Sequence, residues 1–226
     1  MVDNTTGSGT GTGNVLVDKS AVLRGSGIIA PNANSGVTIA SGGQLYAGDT
    51  ATGTTANGFL KLTSASGATT PILTLATPAH EGSAQLQFDL GDGGANGVTF
   101  AGAVVGGVTL AGSSTYIDLG NDPANVVFSS DPNDPTLISL NALTSLSDGN
   151  YLLFAGGPNT DYANWTNVSL LEPEGYFASH LFMQDGNIYV DISAAAVPEP
   201  GTWALLLMGL LGLSAWRRAR RLNRAP

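Results

Sequence analysis

Two histidines are the first residues whose types could support chemistry in this chain. His80 and His180 stand a hundred positions apart, and neither has an acidic or nucleophilic partner at the spacing of a catalytic motif. The pair His80-Glu81 lacks a second histidine one helical turn further on, so it does not form a zinc-binding motif. Both histidines are therefore predicted to be loop or edge residues.

Three short acidic segments are the next candidates, at residues 89–92, 118–122 and 131–134. Their carboxylates could offer oxygens to calcium, but none has the full spacing of a calcium-binding loop, and each is also ordinary turn chemistry. Paired carboxylates could also flank a glycosidic bond in a polysaccharide-cleaving enzyme. Such an enzyme usually lines its groove with basic and aromatic side chains, and the body of this chain has few basic residues. We predict no metal site.

Nucleophilic and phosphate-binding motifs are missing from the sequence. The chain has no cysteine and no G-x-S-x-G, and the glycine-rich stretch at 102–107 lacks the Lys-Ser/Thr of a phosphate loop. The sequence therefore predicts no catalytic residue, no cofactor and no enzymatic activity.

Charge is unevenly distributed along the 226 residues. Before Val197 three basic residues face sixteen acidic ones, a difference of −13, whereas the last ten positions hold five arginines. An acidic body argues against nucleic-acid binding, which needs clustered Lys and Arg. With 31 glycines, 11% charged residues and 42% hydrophobic residues, the composition predicts an all-β extracellular protein that buries a core.

Short alternating apolar runs separated by Gly, Asn, Asp and Pro predict many strands in the body. Their predicted bounds are 14–17, 27–30, 36–40, 44–46, 59–63, 72–76, 84–90, 98–101, 104–110, 116–119, 125–128, 151–154, 168–171, 177–183 and 188–192. Residues 137–146 could instead form a short helix. The phrase Gly-Val-Thr-x-Ala recurs at Gly36, Gly97 and Gly107, and such recurrence between glycine-rich corners favours a β-solenoid over chance repetition.

The predicted organisation has six parts. Residues 1–13 form a flexible Gly/Thr-rich start, 14–136 a β-solenoid-like body, and 137–192 a β-rich capping region. Within the cap, the Gln184-Asp185-Gly186 turn predicts a hairpin. Residues 193–201 form a linker, 202–216 a transmembrane helix and 217–226 a basic cytoplasmic tail.

The segment from Thr202 to Trp216 has no charge and is apolar on all sides, unlike an ordinary core helix. As a helix it is on the order of 22 Å long, a short membrane span. The following arginines favour the cytoplasmic side, which would leave the body outside. The predicted anchor comprises Trp203, Leu205, Leu206, Leu207, Leu210, Leu211, Leu213 and Trp216. The basic cluster that stops transfer comprises Arg217, Arg218, Arg220 and Arg221.

The order of Pro198-Glu199-Pro200, apolar segment and arginine cluster resembles the PEP-CTERM sorting signal. The resemblance covers about the last thirty residues. It implies an exported protein of an exopolysaccharide-producing Gram-negative bacterium, held transiently in the inner membrane. An exosortase, a cysteine transpeptidase-like enzyme, would recognise Pro198, Glu199 and Pro200 and cut nearby. The body would then reach the cell surface or the extracellular matrix of a biofilm.

Proteins of that family carry an N-terminal secretion signal, and residues 1–13 have neither a basic start nor an apolar run. We therefore expect either a misplaced start or a piece of a longer protein.

A second resemblance lies in the body, where residues 23–48 are similar to the repeats of autotransporter passenger domains. It implies a right-handed parallel β-helix. The positions in step with that repeat are Leu23, Gly25, Ser26, Gly27, Ile28, Val37, Ile39, Ser41, Gly42, Gly43, Leu45 and Gly48.

The leading hypothesis is a structural or adhesive surface protein with a solenoid body, a C-terminal hairpin cap and one transmembrane helix. Its expected partners are an exosortase, the membrane and exopolysaccharide. The alternative is a carbohydrate-binding or polysaccharide-cleaving β-helix protein, or a fragment of one.

Overall fold

The structure is a computed structural model that describes residues 1–48, 58–63, 65, 68–75, 82–91, 101–120, 125–194, 206, 208–211 and 213. The chain divides into two compact units, Met1–Ala194 and Ala195–Pro226. The predicted strand at 98–101 falls largely outside the described residues, as does His80.

The first unit is built from strands. Their bounds are β1 Val15–Val17, β2 Val22–Gly25, β3 Ile28–Ile29, β4 Val37–Ile39, β5 Gln44–Ala47, β6 Phe59–Leu62, β7 Leu73–Leu75, β8 Gln85–Gly91, β9 Val104–Val105, β10 Val108–Thr109, β11 Ser113–Ser114, β12 Tyr116–Asp118, β13 Asn125–Val127, β14 Thr136–Ala142, β15 Gly149–Ala155, β16 Asp161–Ala163, β17 Val168–Leu171, β18 Tyr176–Gln184 and β19 Asn187–Ala194.

Three parallel sheets form the frame of this unit. Sheet A has the order β1-β4-β7-β13-β16, and sheet B has the order β2-β5-β8-β14-β17. Sheet C begins with the parallel strands β3-β6-β12-β15 and continues into β19 and β18. Successive strands therefore visit A, B and C in turn and return one strand further along each sheet. This arrangement confirms the mostly β, parallel body and is consistent with a β-solenoid.

Register keeps apolar side chains stacked inside the frame. In sheet A, Val37 pairs with Leu73 and Leu73 with Val126, and all three side chains are fully buried. In sheet B, Leu45 pairs with Leu86 in the same way. Burial of each such side chain contributes roughly 1.5–3 kcal/mol to the stability of the fold. Because side chains alternate along a strand, every second one points between the sheets and forms the core.

The coils differ greatly in length although their strands stay in register. Positions that share one stack in sheet A are Val15, Val37, Leu73, Val126 and Tyr162. Successive members are 22, 36, 53 and 36 residues apart. The variation lies in the connections, because the paired strands remain short.

The N-terminal segment, for which the composition predicts a flexible start, is hydrogen-bonded to the first coil. Val2 N–H donates to the Arg24 carbonyl at 2.9 Å, and Gly27 N–H donates to the Val2 carbonyl at 2.8 Å. The Asn4 side-chain oxygen accepts the Ile28 N–H at 3.1 Å. Strands of the first coil have a free edge, and this segment supplies partners for their backbone groups.

The other end of sheet C carries the predicted hairpin. Strand β19 runs antiparallel to β15 and to β18, and the β18–β19 turn has Asp185 and Gly186 at φ of 50° and 72°. Two successive positive φ values are the geometry of a type I′ hairpin turn. The hairpin is confirmed, while parallel pairing continues beyond position 137 as far as β17.

The short helix proposed for residues 137–146 is wrong. This stretch contains β14, which pairs in parallel with β8 and β17. Ile138 and Leu140 alternate into the core, and pairing with distant strands outweighs local helix propensity.

The single strand predicted at 104–110 is also wrong, because β9 and β10 form an antiparallel pair around Gly106 and Gly107. Consequently the Gly-Val-Thr-x-Ala phrase does not mark equivalent coil positions. At Gly36 it leads into a parallel strand of sheet A, and at Gly107 into this separate hairpin.

Candidate functional site

The predicted sorting region belongs to the second unit. Pro198, Glu199 and Pro200 lie outside the described residues, as do Trp203, Leu205, Leu207, Trp216 and the arginine cluster. Of the predicted anchor, the structure describes Leu206, Leu210, Leu211 and Leu213, and all four are helical.

These helical side chains are exposed. Their exposed fractions lie between 55% and 66%, and Met208 is 63% exposed. An exposed apolar helix differs from the buried core helix that is the ordinary role of such a sequence in a soluble protein. Within the described part of the chain, no helix has both the length and the apolar character needed to cross a membrane.

A second candidate site is a cavity of about 490 Å³ at the carboxyl ends of strands in sheet C. Lys61 on β6 and Asp118 on β12 are cross-strand partners, and Asp118 is also paired with Ala155 on β15. Asp185 of the β18–β19 turn and Gly106 of the β9–β10 turn line the same cavity. Five separate segments thus line an opening that carries both positive and negative side chains.

Buried Asn187 holds two walls of this cavity in place. Its side-chain oxygen accepts the Gly156 N–H at 3.0 Å, and its amide group donates to the Gln184 and Asp185 carbonyls at 3.3 and 3.1 Å. Asp118 is positioned by the Gly120 N–H, which donates to its carboxylate at 2.8 Å. The polar groups are therefore supported by a fixed backbone.

Aromatic rings lie on the same face of sheet C, two residues along the strands from the polar pair. Phe59 stacks on Tyr116 with centroids 5.0 Å apart, and Phe182 stacks on Tyr189 at 5.2 Å. The Tyr189 hydroxyl donates to the Val105 carbonyl at 2.7 Å. Burial raises the pKa of Tyr189 to about 12, so its hydroxyl keeps its proton at neutral pH. The hydrogen bond from Tyr189 to Val105 therefore holds the β9–β10 hairpin against this face of sheet C.

The three acidic segments predicted from the sequence, at 89–92, 118–122 and 131–134, have different roles in the structure. Asp131 accepts the Asn133 N–H at 2.9 Å, which is turn chemistry. Asp118 makes a similar turn but also lines the cavity. Among the described residues, no group of three or more His, Cys, Asp or Glu side chains could hold a metal ion. Asp92 and Asp122 lie outside the described residues.

Asp89 is the unusual member of these segments, because its side chain is only 1% exposed. One carboxylate oxygen accepts the Asn141 side-chain amide at 2.9 Å, and the other has no hydrogen-bond partner within the described structure. Burial raises the pKa of Asp89, and the Asn141 hydrogen bond partly opposes that rise. The segment around Thr115 lies beside Asp89, since the Thr115 N–H donates to the main-chain carbonyl of Asp89 at 2.8 Å.

His180 lies on β18, at the edge of sheet C, with its ring 5.3 Å from that of Phe182. This position agrees with the prediction of an edge residue.

The comparison with protein families concerns the second unit. A family model described as the PEP-CTERM protein-sorting motif matches residues 196–221. The chain carries a PEP-CTERM sorting motif. This motif implies export, sorting to the cell surface and processing by an exosortase. No curated protein and no solved structure matches the chain, and the likeness of residues 23–48 to autotransporter repeats stays a prediction.

Among the cavity residues, only Asp118 was predicted from the sequence as a candidate binding residue, and Asp185 was named only as part of the predicted hairpin turn. Lys61 is distant in the chain from Asp185 and Asn187, which flank Gly186 in the β18–β19 turn, and only strand pairing in sheet C brings them together. One sequence signal could have pointed to Lys61 as a candidate binding residue, because it is the last basic residue before the C-terminal arginines.

Proposed function

We propose that this chain is a structural or adhesive protein of the bacterial surface or extracellular matrix. Residues 202–216 hold it in the inner membrane during export, with the arginines on the cytoplasmic side. An exosortase recognises Pro198-Glu199-Pro200 and releases the solenoid body. The body then acts outside the cell as a non-enzymatic component of the exopolysaccharide layer.

The observation that carries this proposal is the division of the chain. The last strand in the described part of the chain, β19, ends at Ala194, and the first compact unit ends at the same residue. The sorting motif begins two positions later, at residue 196. Cleavage near Pro198 would therefore remove no strand from the body, so the released product keeps all three sheets.

The exposed apolar side chains of the second unit support a lipid-facing role. Leu206, Leu210, Leu211 and Leu213 present apolar surface that water solvates poorly. The aromatic residues Trp203 and Trp216 bracket the segment in the sequence, at positions that favour membrane interfaces.

The body suits a stable scaffold outside the cell. Its core is continuous through the stacked coils, and the parallel strands of sheet C are flanked on one side by the N-terminal segment and on the other by the antiparallel hairpin. We further propose a right-handed parallel β-helix, because crossovers between parallel strands are nearly always right-handed.

The test is to express the full chain, fused behind a bacterial secretion signal, in a host with an exosortase and in an exosortase-deletion strain. We expect mass spectrometry to find an extracellular product that ends near residues 198–200 in the first host. The deletion strain should retain the uncut chain in its membrane fraction.

Glu199→Ala should block release in the competent host, whereas Glu174→Ala, at an exposed position of the body, serves as the matched control. Uncut chain in the medium of both strains would overturn the sorting proposal.

The non-enzymatic role is tested separately by incubating the body with anionic polysaccharides. New reducing or unsaturated ends would favour the polysaccharide-cleaving alternative.

A further inference from the structure

The cavity at the carboxyl ends of the sheet C strands has the features of a ligand site. Its volume of about 490 Å³ lies in the range of pockets that hold small molecules. It is lined by residues from β6, β12, the loop after β15 and the turns of both hairpins. Because these segments are hydrogen-bonded to one another, the opening exists before any ligand arrives.

The polar groups of the cavity combine one donor cation with two acceptor carboxylates. Lys61 can only donate hydrogen bonds, while ionised Asp118 and Asp185 can only accept them. Gly106 and Gly156 also line the cavity, and both are partly buried. A ligand that satisfies this set must carry both donors and acceptors on a compact frame.

Charge narrows the class of ligand. Lys61 opposed to Asp118 and Asp185 leaves the cavity with a net charge of −1 by formal count, in a body that is itself acidic. An anionic ligand such as a uronate would meet repulsion both locally and from the whole body. A neutral polyol meets none, and its adjacent hydroxyl groups can accept from the ammonium and donate to the carboxylates.

We propose that this cavity binds a neutral sugar residue of a polysaccharide through Lys61, Asp118 and Asp185. The neutral polyol class follows from the cavity itself, whereas the choice of a polysaccharide rests on the proposed role in the exopolysaccharide layer. Lys61 and Asp118 are register partners on neighbouring strands, so they can hydrogen-bond neighbouring hydroxyl groups of one ring. Gly106 forms the opposite wall, where the Gln184 side-chain amide holds its carbonyl at 2.9 Å.

The test uses the purified full chain in detergent on an array of neutral glucan, galactan and mannan oligosaccharides, with polygalacturonate oligomers alongside. We expect binding to at least one neutral series and weaker binding to the uronate series. Lys61→Met should lower the affinity by about tenfold or more, because a charge-assisted hydrogen bond is lost. Asp118→Asn should do the same while its side-chain oxygen still accepts the Gly120 N–H.

Lys19→Met, on the first coil, is the matched control and should bind like the wild type. Circular dichroism and the melting temperature establish that each variant is folded. The proposal is overturned if no neutral oligosaccharide binds, if uronate oligomers bind more tightly, or if a folded Lys61→Met variant keeps the wild-type affinity. Each of these results leaves the cleavage experiment with the exosortase strains unaffected, so the two proposals fail independently.

Discussion

The backbone of Val2 occupies the space that a side chain on Gly25 would need. Gly25 has φ of +145°, and a Cβ atom at this position would overlap the Val2 carbonyl group. The contact joins the first residues of the chain to the end of β2, where Val2 also donates a hydrogen bond to Arg24.

Gly25→Ala should therefore displace the N-terminal segment and destabilise the first coil. We expect a loss of about 1–3 kcal/mol, since the variant combines a strained backbone with a backbone clash. Urea denaturation measures it. Gly13→Ala is the control, because a Cβ at Gly13 would meet nothing within 4 Å. Equal stability of the two variants would show that the segment does not cap the coil.

Phe154 is the centre of an aromatic cluster inside the frame. Its ring packs edge-on against Phe88, Phe128 and Tyr162, with centroids 5.8 to 6.0 Å apart. Phe154→Ala should cost about 3–5 kcal/mol, because it opens a cavity where three sheets meet. Thermal unfolding tests this, with exposed Phe177→Ala as the comparison. A small loss at Phe154 would mean that the core is loosely packed.

Asp89→Asn should change how stability depends on pH. The raised pKa means that the folded state holds the proton more tightly than the unfolded state, whose value is near 3.8. The contribution of Asp89 is therefore full below that pH and is lost as pH rises through the folded value. At pH values above the folded pKa, the buried carboxylate is charged and destabilises the folded state, so the amide variant should be the more stable protein there.

The measurement for Asp89 is the difference in urea midpoint between wild type and Asp89→Asn from pH 3 to pH 8. The urea midpoint of the wild type should fall relative to that of the variant as pH increases. Asp161→Asn, at an exposed site on β16, controls for removing one surface carboxylate. A difference that stays constant with pH, or that changes in the opposite direction, contradicts the assignment.

Tyr189→Phe should loosen the β9–β10 hairpin without unfolding the body. The substitution removes the hydroxyl that donates to Val105 but keeps the ring stacked on Phe182. We expect faster amide hydrogen exchange in residues 101–112, by about fivefold for the loss of a bond worth roughly 1 kcal/mol. Tyr46→Phe on sheet B is the control. Unchanged exchange in the hairpin would show that other contacts hold it.

Local patterns allowed much of the frame to be predicted. Alternation identified strands such as β4, β8 and β17, and the Asp185-Gly186 turn identified the closing hairpin. Strand β2 was missed because Arg24 and Gly25 interrupt its apolar pattern, and β14 was misread because its partners lie 52 and 32 residues away in sequence. Pairing at that range leaves no local signal.

The sorting motif and the cavity also differ in how far they could be predicted from the sequence. The sorting motif is one contiguous stretch, so its order of proline, apolar segment and arginine can be read directly. The cavity takes single residues from distant coils, and Lys61 and Asp118 meet only because β6 and β12 are neighbours in sheet C. Strand order between nonconsecutive segments cannot be read from residue types alone.

Unequal coil lengths have a consequence for how such a body can change over generations. The inward stack from Val15 to Tyr162 stays aligned although successive members are 22 to 53 residues apart. Insertions or deletions between strands can therefore vary the outer surface while the interior ladder is inherited intact. A lineage could acquire new adhesive specificities by lengthening one connection, with no need to redesign the scaffold that displays it.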